Sequence, residues 1–154
     1  MIVAGVHSRQ SGGRYDVALA VVDDATVLAH NHVLAAAGEA ESDQFRNLYV
    51  RAHEVLRPHA VEVVVLWPPD PPPGGRVKLT TTLAAGRAEG AVLAAAGELG
   101  MRSAVIAGAG VRAAGGGSTD EAVEGLWSSL ADVPDDDAVR RAIAAARTWR
   151  IRNA

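Results

Sequence analysis

Three strand-like runs follow one another at the start of the sequence, before any helical pattern appears. Two short turns separate them, Ser11-Gly12-Gly13 and Asp23-Asp24-Ala25, and both have the composition of hairpin connections. Alternating apolar residues in the middle run are typical of a strand with one buried face. The sequence therefore predicts a three-stranded antiparallel meander, formed by Ile2–His7, Tyr15–Asp23 and Thr26–Leu34.

Helical and strand-like segments alternate through the rest of the chain. Ser42 is the expected N-cap of the first helix, and Arg57-Pro58 ends it because the residue before proline avoids the helical conformation. The later segments are a strand at Val61–Trp67, a helix at Lys78–Leu99, a strand at Arg102–Ala107, a glycine-rich loop at Gly108–Gly117, a helix capped by Ser118 and Glu121, and a helix from Pro134. This order predicts an α/β fold with a mixed sheet of about five strands and helices on both faces.

The composition limits the functions open to this chain. With 154 residues it is expected to form one domain, residues 1–154, with a Pro/Gly-rich surface loop at residues 68–75. The absence of cysteine excludes disulfides, Cys-based zinc sites and a thiol nucleophile. The net charge of −3 argues against tight nonspecific DNA binding, since dedicated nucleic-acid binders are usually basic.

No targeting or membrane segment is expected. The start lacks a positively charged region and runs directly into a strand, so we predict no signal peptide. No apolar run reaches the ~18 residues that a transmembrane helix needs. We therefore expect a cytoplasmic protein with no membrane partner.

Four stretches of the sequence carry a resemblance to a known family. Two are strands, at residues 3–7 (VAGVH) and 57–67 (RPHAVEVVVLW). The third is the long helix at residues 83–91 (LAAGRAEGA), and the fourth is the closing segment, at residues 115–123 and 134–144. In order and spacing they resemble the RuvC-like Holliday junction resolvases of the RNase H-like superfamily. The resemblance implies an RNase H-like (RuvC-like) α/β fold over nearly the whole chain.

The resemblance places few of the family's catalytic carboxylates on this chain. The aspartate that ends the first strand in the family falls on His7, and the glutamate of the fourth strand falls on Val64. Of the acidic pair on the last helix, Asp137 matches the first member and Arg140 replaces the second. Two-metal hydrolysis depends on several carboxylates converging on Mg²⁺. The resemblance therefore implies a degenerate member that lacks most of the catalytic acids.

A metal site of different composition is one alternative at these positions. His7, Asp16 across the hairpin and Asp137 on the last helix are candidate catalytic residues, and a set of one histidine and two carboxylates suits Mn²⁺ or Zn²⁺. In the competing interpretation His7 forms a local hydrogen bond, and the run Asp135–Asp137 stabilises the N-terminus of the last helix. His7 and Asp137 are candidate metal ligands only if the protein is a nuclease that uses Mg²⁺ or Mn²⁺. Otherwise no cofactor is expected.

Trp67 and four arginines are candidate contacts to nucleic acid. Trp67 stands where the family has an aromatic near the scissile site, and the proline loop after it is expected to keep it near the surface, where it would stack on a base. The alternative is a core aromatic. Arg9 and Arg14 flank the first turn, and Arg140 and Arg147 are expected on the outer side of the last helix. The buried stripe of that helix is predicted to be Val139, Ala142, Ile143 and Ala146. Each arginine is alternatively a plain solvated residue.

Three functions are compatible with these patterns. The first is a catalytically inactive RuvC-like protein that acts as a nucleic-acid-binding or assembly module, with branched or duplex DNA as its partner. The second is a divergent metal-dependent nuclease of the resolvase type. The third is a protein-interaction module that binds no nucleic acid. The resemblance also implies a homodimer, for which Gly86 and Gly90 offer a face of close approach, unless that face packs on the sheet.

Overall fold

The predicted meander forms one side of a mixed β-sheet. The structure is a computed structural model that describes residues 1–11, 14–70, 74 and 79–154, with residues 10, 11 and 79–84 described by their backbone alone. The strands are β1 Ile2–Ser11, β2 Arg14–Val22, β3 Val27–Leu34, β4 Val61–Trp67 and β5 Arg102–Val105. They lie in the order β3-β2-β1-β4-β5. The β1/β2 and β2/β3 pairs are antiparallel, whereas β1/β4 and β4/β5 are parallel. The predicted α/β class with a mixed five-stranded sheet is confirmed.

Helices cover both faces of this sheet. In the described part of the chain they are α1 Glu41–Leu56, α2 Leu79–Glu98, α3 Gly108–Gly115, α4 Thr119–Trp127 and α5 Asp137–Arg152. One apolar core joins the sheet to α1 and α2, and a second joins its other face to α3, α4 and α5. Alternate residues of β1, β2 and β4 enter opposite cores, because successive side chains of a strand point to opposite faces.

Helix α5 lies unusually close to the centre of the sheet. Gly5 of β1 lies directly under it, and a Cβ atom at this position would overlap the carbonyl oxygen of Ala142. The predicted buried stripe of Val139, Ala142, Ile143 and Ala146 is confirmed, and Ala144 and Ala145 are buried as well. Small residues on both sides therefore let α5 sit deep on the sheet, with its N-terminus held over the strand ends.

Several predicted boundaries are wrong for identifiable reasons. Helix α1 begins at Glu41, with Ala40 rather than Ser42 at the N-cap. The final helix begins at Asp137, because the side chain of Asp136 caps it by accepting a hydrogen bond from the backbone N–H of Val139. The segment predicted as a glycine-rich loop is mostly helix α3, in which Val111 is fully buried. The capping box of Ser118 and Glu121 is confirmed.

Part of the sequence prediction lies outside the described residues. The first turn at residues 12–13, most of the Pro/Gly-rich segment and the start of the long helix at Lys78 belong to this part. Among the helices that the structure does describe, none is both long and apolar enough to cross a membrane.

Candidate functional site

The carboxyl ends of β1 and β4 meet at one edge of the sheet, beneath the N-terminus of α5. His7 pairs with Trp67 across these parallel strands, and Arg9 pairs with Asp16 across the β1/β2 hairpin. In the next strand His32 pairs with Ala18. Paired residues point to the same face of a sheet, so these side chains converge on the face that α5 covers. We call the charged group here the strand-end cluster, which consists of Arg9, Asp16, His32, Asp136, Asp137 and Arg141.

Asp16 is the buried centre of the strand-end cluster. Its side chain is only 4% exposed. The Arg9 Nε–H donates to Asp16 Oδ2 at 2.6 Å, and His32 Nε2 donates to the other carboxylate oxygen. A buried carboxylate is costly unless cations and hydrogen bonds compensate it. The two carboxylate oxygens of Asp16 are therefore hydrogen-bonded to a side chain of β1 and a side chain of β3, respectively.

His32 connects the sheet to α5. Its Nδ1 lies 2.7 Å from Asp136 Oδ2, and its Nε2 contacts Asp16, so each ring nitrogen faces a carboxylate. Burial alone would lower the pKa of His32, but hydrogen bonds to the two carboxylates raise it above the ordinary value. Carboxylates accept hydrogen bonds and do not donate them when ionised. With both carboxylates ionised, each ring nitrogen of His32 donates a hydrogen bond, which is the arrangement of the doubly protonated, cationic imidazolium.

Asp137 is the exposed carboxylate of the strand-end cluster. Its side chain is 63% exposed and accepts a hydrogen bond from Arg141 Nε at 3.1 Å. Arg141 also donates from NH2 to Asp120 at 2.6 Å, which ties α5 to α4. The guanidinium of Arg9 lies farther off, with NH1 3.8 Å from Asp137 Oδ2. Asp137 thus lies near two arginines, and it is hydrogen-bonded to Arg141 but not to Arg9.

His7 and Trp67 form the apolar floor beside the strand-end cluster. His7 Nδ1 donates to the backbone carbonyl of Trp67 at 3.1 Å, and the two ring centroids are 4.9 Å apart. Burial lowers the pKa of His7 to about 4. The imidazole is therefore neutral near pH 7, with its proton on Nδ1. The local hydrogen bond predicted for His7 is present.

Trp67 is a core residue, and the prediction that it lies near the surface is wrong. Its side chain points from β4 into the core under α5, where the residue is 2% exposed. Its Nε1–H is buried and has no hydrogen-bond partner among the described residues. The proline loop after it does not expose the ring, because the strand register has already directed the ring toward α5. Trp67 cannot stack on a base in this conformation.

The donor set does not fit the metal site considered from the sequence. Each carboxylate oxygen of Asp16 is bound by a cation of the chain, one by Arg9 and the other by His32. Val64, the position to which the resemblance assigns a glutamate, is fully buried in the opposite core. Among the described residues, no group of three or more His, Asp or Glu is arranged to hold a metal ion. The cluster instead balances three carboxylates against three cations of the chain itself, namely Asp16, Asp136 and Asp137 against Arg9, His32 and Arg141.

The four predicted arginine contacts have different surroundings. Arg9 is 45% exposed, and Arg14 is half-buried at the start of β2. Arg140 lies over the ring of Trp127 at 4.4 Å and pairs with Asp135 at 3.0 Å. Arg147 donates to the backbone carbonyl of Asp24 at 3.2 Å. The outer-side placement of Arg140 and Arg147 is therefore wrong, because both are half-buried and engaged within the fold.

Sequence reasoning missed His32 and Arg141. The available signal for His32 was the alternation His30-Asn31-His32 in an edge strand, which places two histidines on one face. Its partner Asp136 is 104 residues away, and no local pattern connects the two. Arg141 lies four residues after Asp137, the spacing at which helix side chains pair.

The fold is that of the RuvC Holliday junction resolvases. Thermus thermophilus RuvC in complex with a Holliday junction substrate superposes with a TM-score of 0.78 at 22% identity, covering 99% of this chain and 94% of that one. Thermus thermophilus RuvC alone gives 0.77 at 20% identity, with 99% and 95% covered. The yeast mitochondrial Holliday junction resolvase Ydc2 gives 0.55 at 12% identity, with 96% and 76% covered. No family model and no curated protein matches the sequence.

Proposed function

We propose that this chain is a nucleic-acid-binding module with a RuvC-like fold and no metal-dependent nuclease activity. One observation carries the proposal: the carboxylates at the strand ends are paired with arginine or histidine of the same chain. A two-metal centre needs carboxylate oxygens that are free to converge on the ions. Here both oxygens of Asp16 are bound by cations of the chain, and the positions His7 and Val64, where the resemblance places family carboxylates, carry none.

Branched or duplex DNA is the partner that we propose. Two of the similar structures are of RuvC, one of them in complex with a Holliday junction substrate, and another is a Holliday junction resolvase. The strand-end edge of this chain retains an exposed cation, Arg9, beside the half-exposed cluster. The net charge of −3 favours local contacts over a broad electrostatic surface.

Fluorescence anisotropy of a labelled four-way DNA junction, titrated with the protein at two salt concentrations, tests this function. We expect saturable binding that weakens as salt rises, because phosphate contacts release counterions. A duplex of the same length measures the preference for branched DNA. Absence of binding at low salt would reject the nucleic-acid module and favour a protein partner.

We also propose a homodimer formed through α2. The positions Gly86, Gly90 and Gly97 follow one another along this helix, and a Cβ atom at any of them would meet no atom of the described residues within 4 Å. The glycines are therefore not required for packing of α2 on its own sheet. Small residues on an open helix face allow two backbones to approach closely, which supports the dimer alternative for Gly86 and Gly90.

A further inference from the structure

The side chain of Arg9 is held by a hydrogen bond at its Nε and is partly exposed to solvent. Its Nε–H is bound to Asp16 Oδ2 at 2.6 Å, while the side chain keeps 45% of its surface exposed. The terminal nitrogens therefore lie beyond the anchored Nε, toward the exposed side. Among the described residues, the one further ion pair of Arg9 is the 3.8 Å approach to Asp137, which is too long for a hydrogen bond.

The anchor of Arg9 is itself held by two other elements. Asp16 receives a second hydrogen bond from His32 of β3. His32 binds Asp136, which in turn accepts from the backbone N–H of Val139 at 3.0 Å at the start of α5. Three strands and one helix thus fix the direction of a single guanidinium. A planar guanidinium held in place loses little side-chain freedom when it binds a phosphate bidentately.

The charge of the cluster also suits this role. In a two-metal nuclease, divalent ions bring positive charge to the phosphate of the substrate. Here Arg9 and His32 neutralise the buried carboxylate of Asp16, so that a phosphate at the strand ends would not face a bare negative charge. Asp137 is compensated by Arg141.

We propose that Arg9 is a preoriented contact for a phosphodiester of nucleic acid, positioned by Asp16, His32 and Asp136, and that this contact requires no divalent cation. The proposal rests on the nucleic-acid-binding function proposed above. The guanidinium of Arg9 is the group that would contact the phosphodiester. The positive charge that metal ions supply in a nuclease would come here from side chains of the chain itself.

The first test compares Arg9→Gln with Arg57→Gln in the junction-binding assay. Arg57 is an exposed arginine at the C-terminal end of α1, which is distant from the strand ends. We expect Arg9→Gln to weaken binding about 3- to 10-fold and to lower the slope of log K against log salt by about one, as loss of one phosphate contact does. Arg57→Gln is expected to bind like the wild type. We expect the wild-type affinity in EDTA to equal that in Mg²⁺ after correction for ionic strength.

The second test separates the position of Arg9 from its charge. Arg9→Lys keeps the charge but has no Nε–H to bind Asp16. Asp16→Asn keeps the shape of the anchor but removes its charge. We expect both variants to weaken junction binding while the salt slope stays near the wild-type value, because the cation is still present. If Asp16→Asn fails to fold by circular dichroism, Arg9→Lys decides the question alone.

The outcomes distinguish this inference from the proposed function. A wild-type protein that binds no junction at low salt overturns both. A wild type that binds, together with an Arg9→Gln variant of equal affinity, overturns only the inference about Arg9. Binding that disappears in EDTA overturns the claim that no divalent cation is needed.

Discussion

His32 is the residue on which the strand-end cluster depends most. Its two ring nitrogens contact carboxylates from different elements, Asp16 of β2 and Asp136 before α5. Its charge lets the carboxyl of Asp136 stay ionised, and the hydrogen bonds from Val139 and His32 lower the pKa of Asp136 against the opposing effect of burial. A deprotonated imidazole would turn a lone pair toward one carboxylate.

This arrangement predicts a stability loss at alkaline pH. The pKa of His32 is raised in the folded state, so its contribution is complete below the ordinary value of 6.5 and is lost as pH rises through the raised pKa. The titration of His7 does not contribute to this decline. Burial lowers its pKa to about 4, so His7 changes the free energy of unfolding only at pH values below 6.5. We expect the free energy of unfolding, measured by urea denaturation, to decline above pH 6.5.

The matched variant for this prediction is His32→Gln. Glutamine keeps hydrogen-bonding capacity but does not titrate, so the variant is expected to be less stable at pH 6 and to lack most of the decline above it. An equal decline in wild type and His32→Gln would show that other groups cause it.

At the scale of the elements, the contact between β1 and α5 depends on Gly5. Any side chain there would collide with the backbone of α5 at Ala142, and backbone cannot rotate away as a flexible side chain can. We expect Gly5→Ala to destabilise the fold by about 1–3 kcal/mol or more, as overpacking does. Gly97→Ala is the control, since it adds the same methyl group to a helix position with open space around it. That variant is expected to be neutral or slightly stabilising in urea denaturation. Equal losses in both would contradict the close approach.

At the start of α5, the single residue Asp136 makes two stabilising contacts. Asp136 caps the helix through Oδ1 and binds His32 through Oδ2. Loss of an N-cap costs about 0.5–2 kcal/mol, and an unpartnered half-buried group adds about 1–3 kcal/mol. Asp136→Ala is therefore expected to lose about 2 kcal/mol or more in thermal or urea unfolding. Asp136→Ser keeps a capping oxygen and should recover part of the loss.

The control is Ser118→Ala, which removes only the N-cap of α4. It should lower the free energy of unfolding by about 1 kcal/mol.

Elements with a strong local pattern were predictable from the sequence, and α3 shows why others were not. The meander and β4 follow from turn composition and from β-branched runs, which are local signals. Helix α3 consists largely of glycine and alanine, so its local preference is weak. It forms because Val111 is buried in the core and Asp70 accepts a hydrogen bond from the Gly108 N–H at 3.2 Å. Both causes are tertiary contacts.

The candidate site was predictable only in location. The resemblance placed His7 and Asp137 at the strand ends, and the structure brings both to that edge. The pairing of Asp16 with His32 depends on the register between β2 and β3, which the sequence alone leaves open. The burial of Trp67 depends on which face of β4 meets α5, and a strand with apolar residues on both faces does not reveal this.

At the scale of the whole molecule, the proposed dimer predicts a specific dependence on α2. We expect light scattering after size exclusion to give twice the chain mass for the wild type. Gly90→Arg places a long charged side chain on the open face of α2 and should give the mass of one chain. Ala113→Arg, on the exposed side of α3, should leave the mass unchanged. A wild type of single-chain mass at every concentration tested would contradict the dimer.

The molecule as a whole has the fold seen in RuvC, while its strand-end carboxylates are paired with cations of the same chain. The measurement that tests this most directly is an incubation of purified protein with a labelled four-way junction in Mg²⁺ and in Mn²⁺, analysed on native and denaturing gels. We predict a retarded complex on the native gel and intact strands on the denaturing gel. Strand cleavage that requires the metal and is abolished by Asp137→Asn would contradict the account.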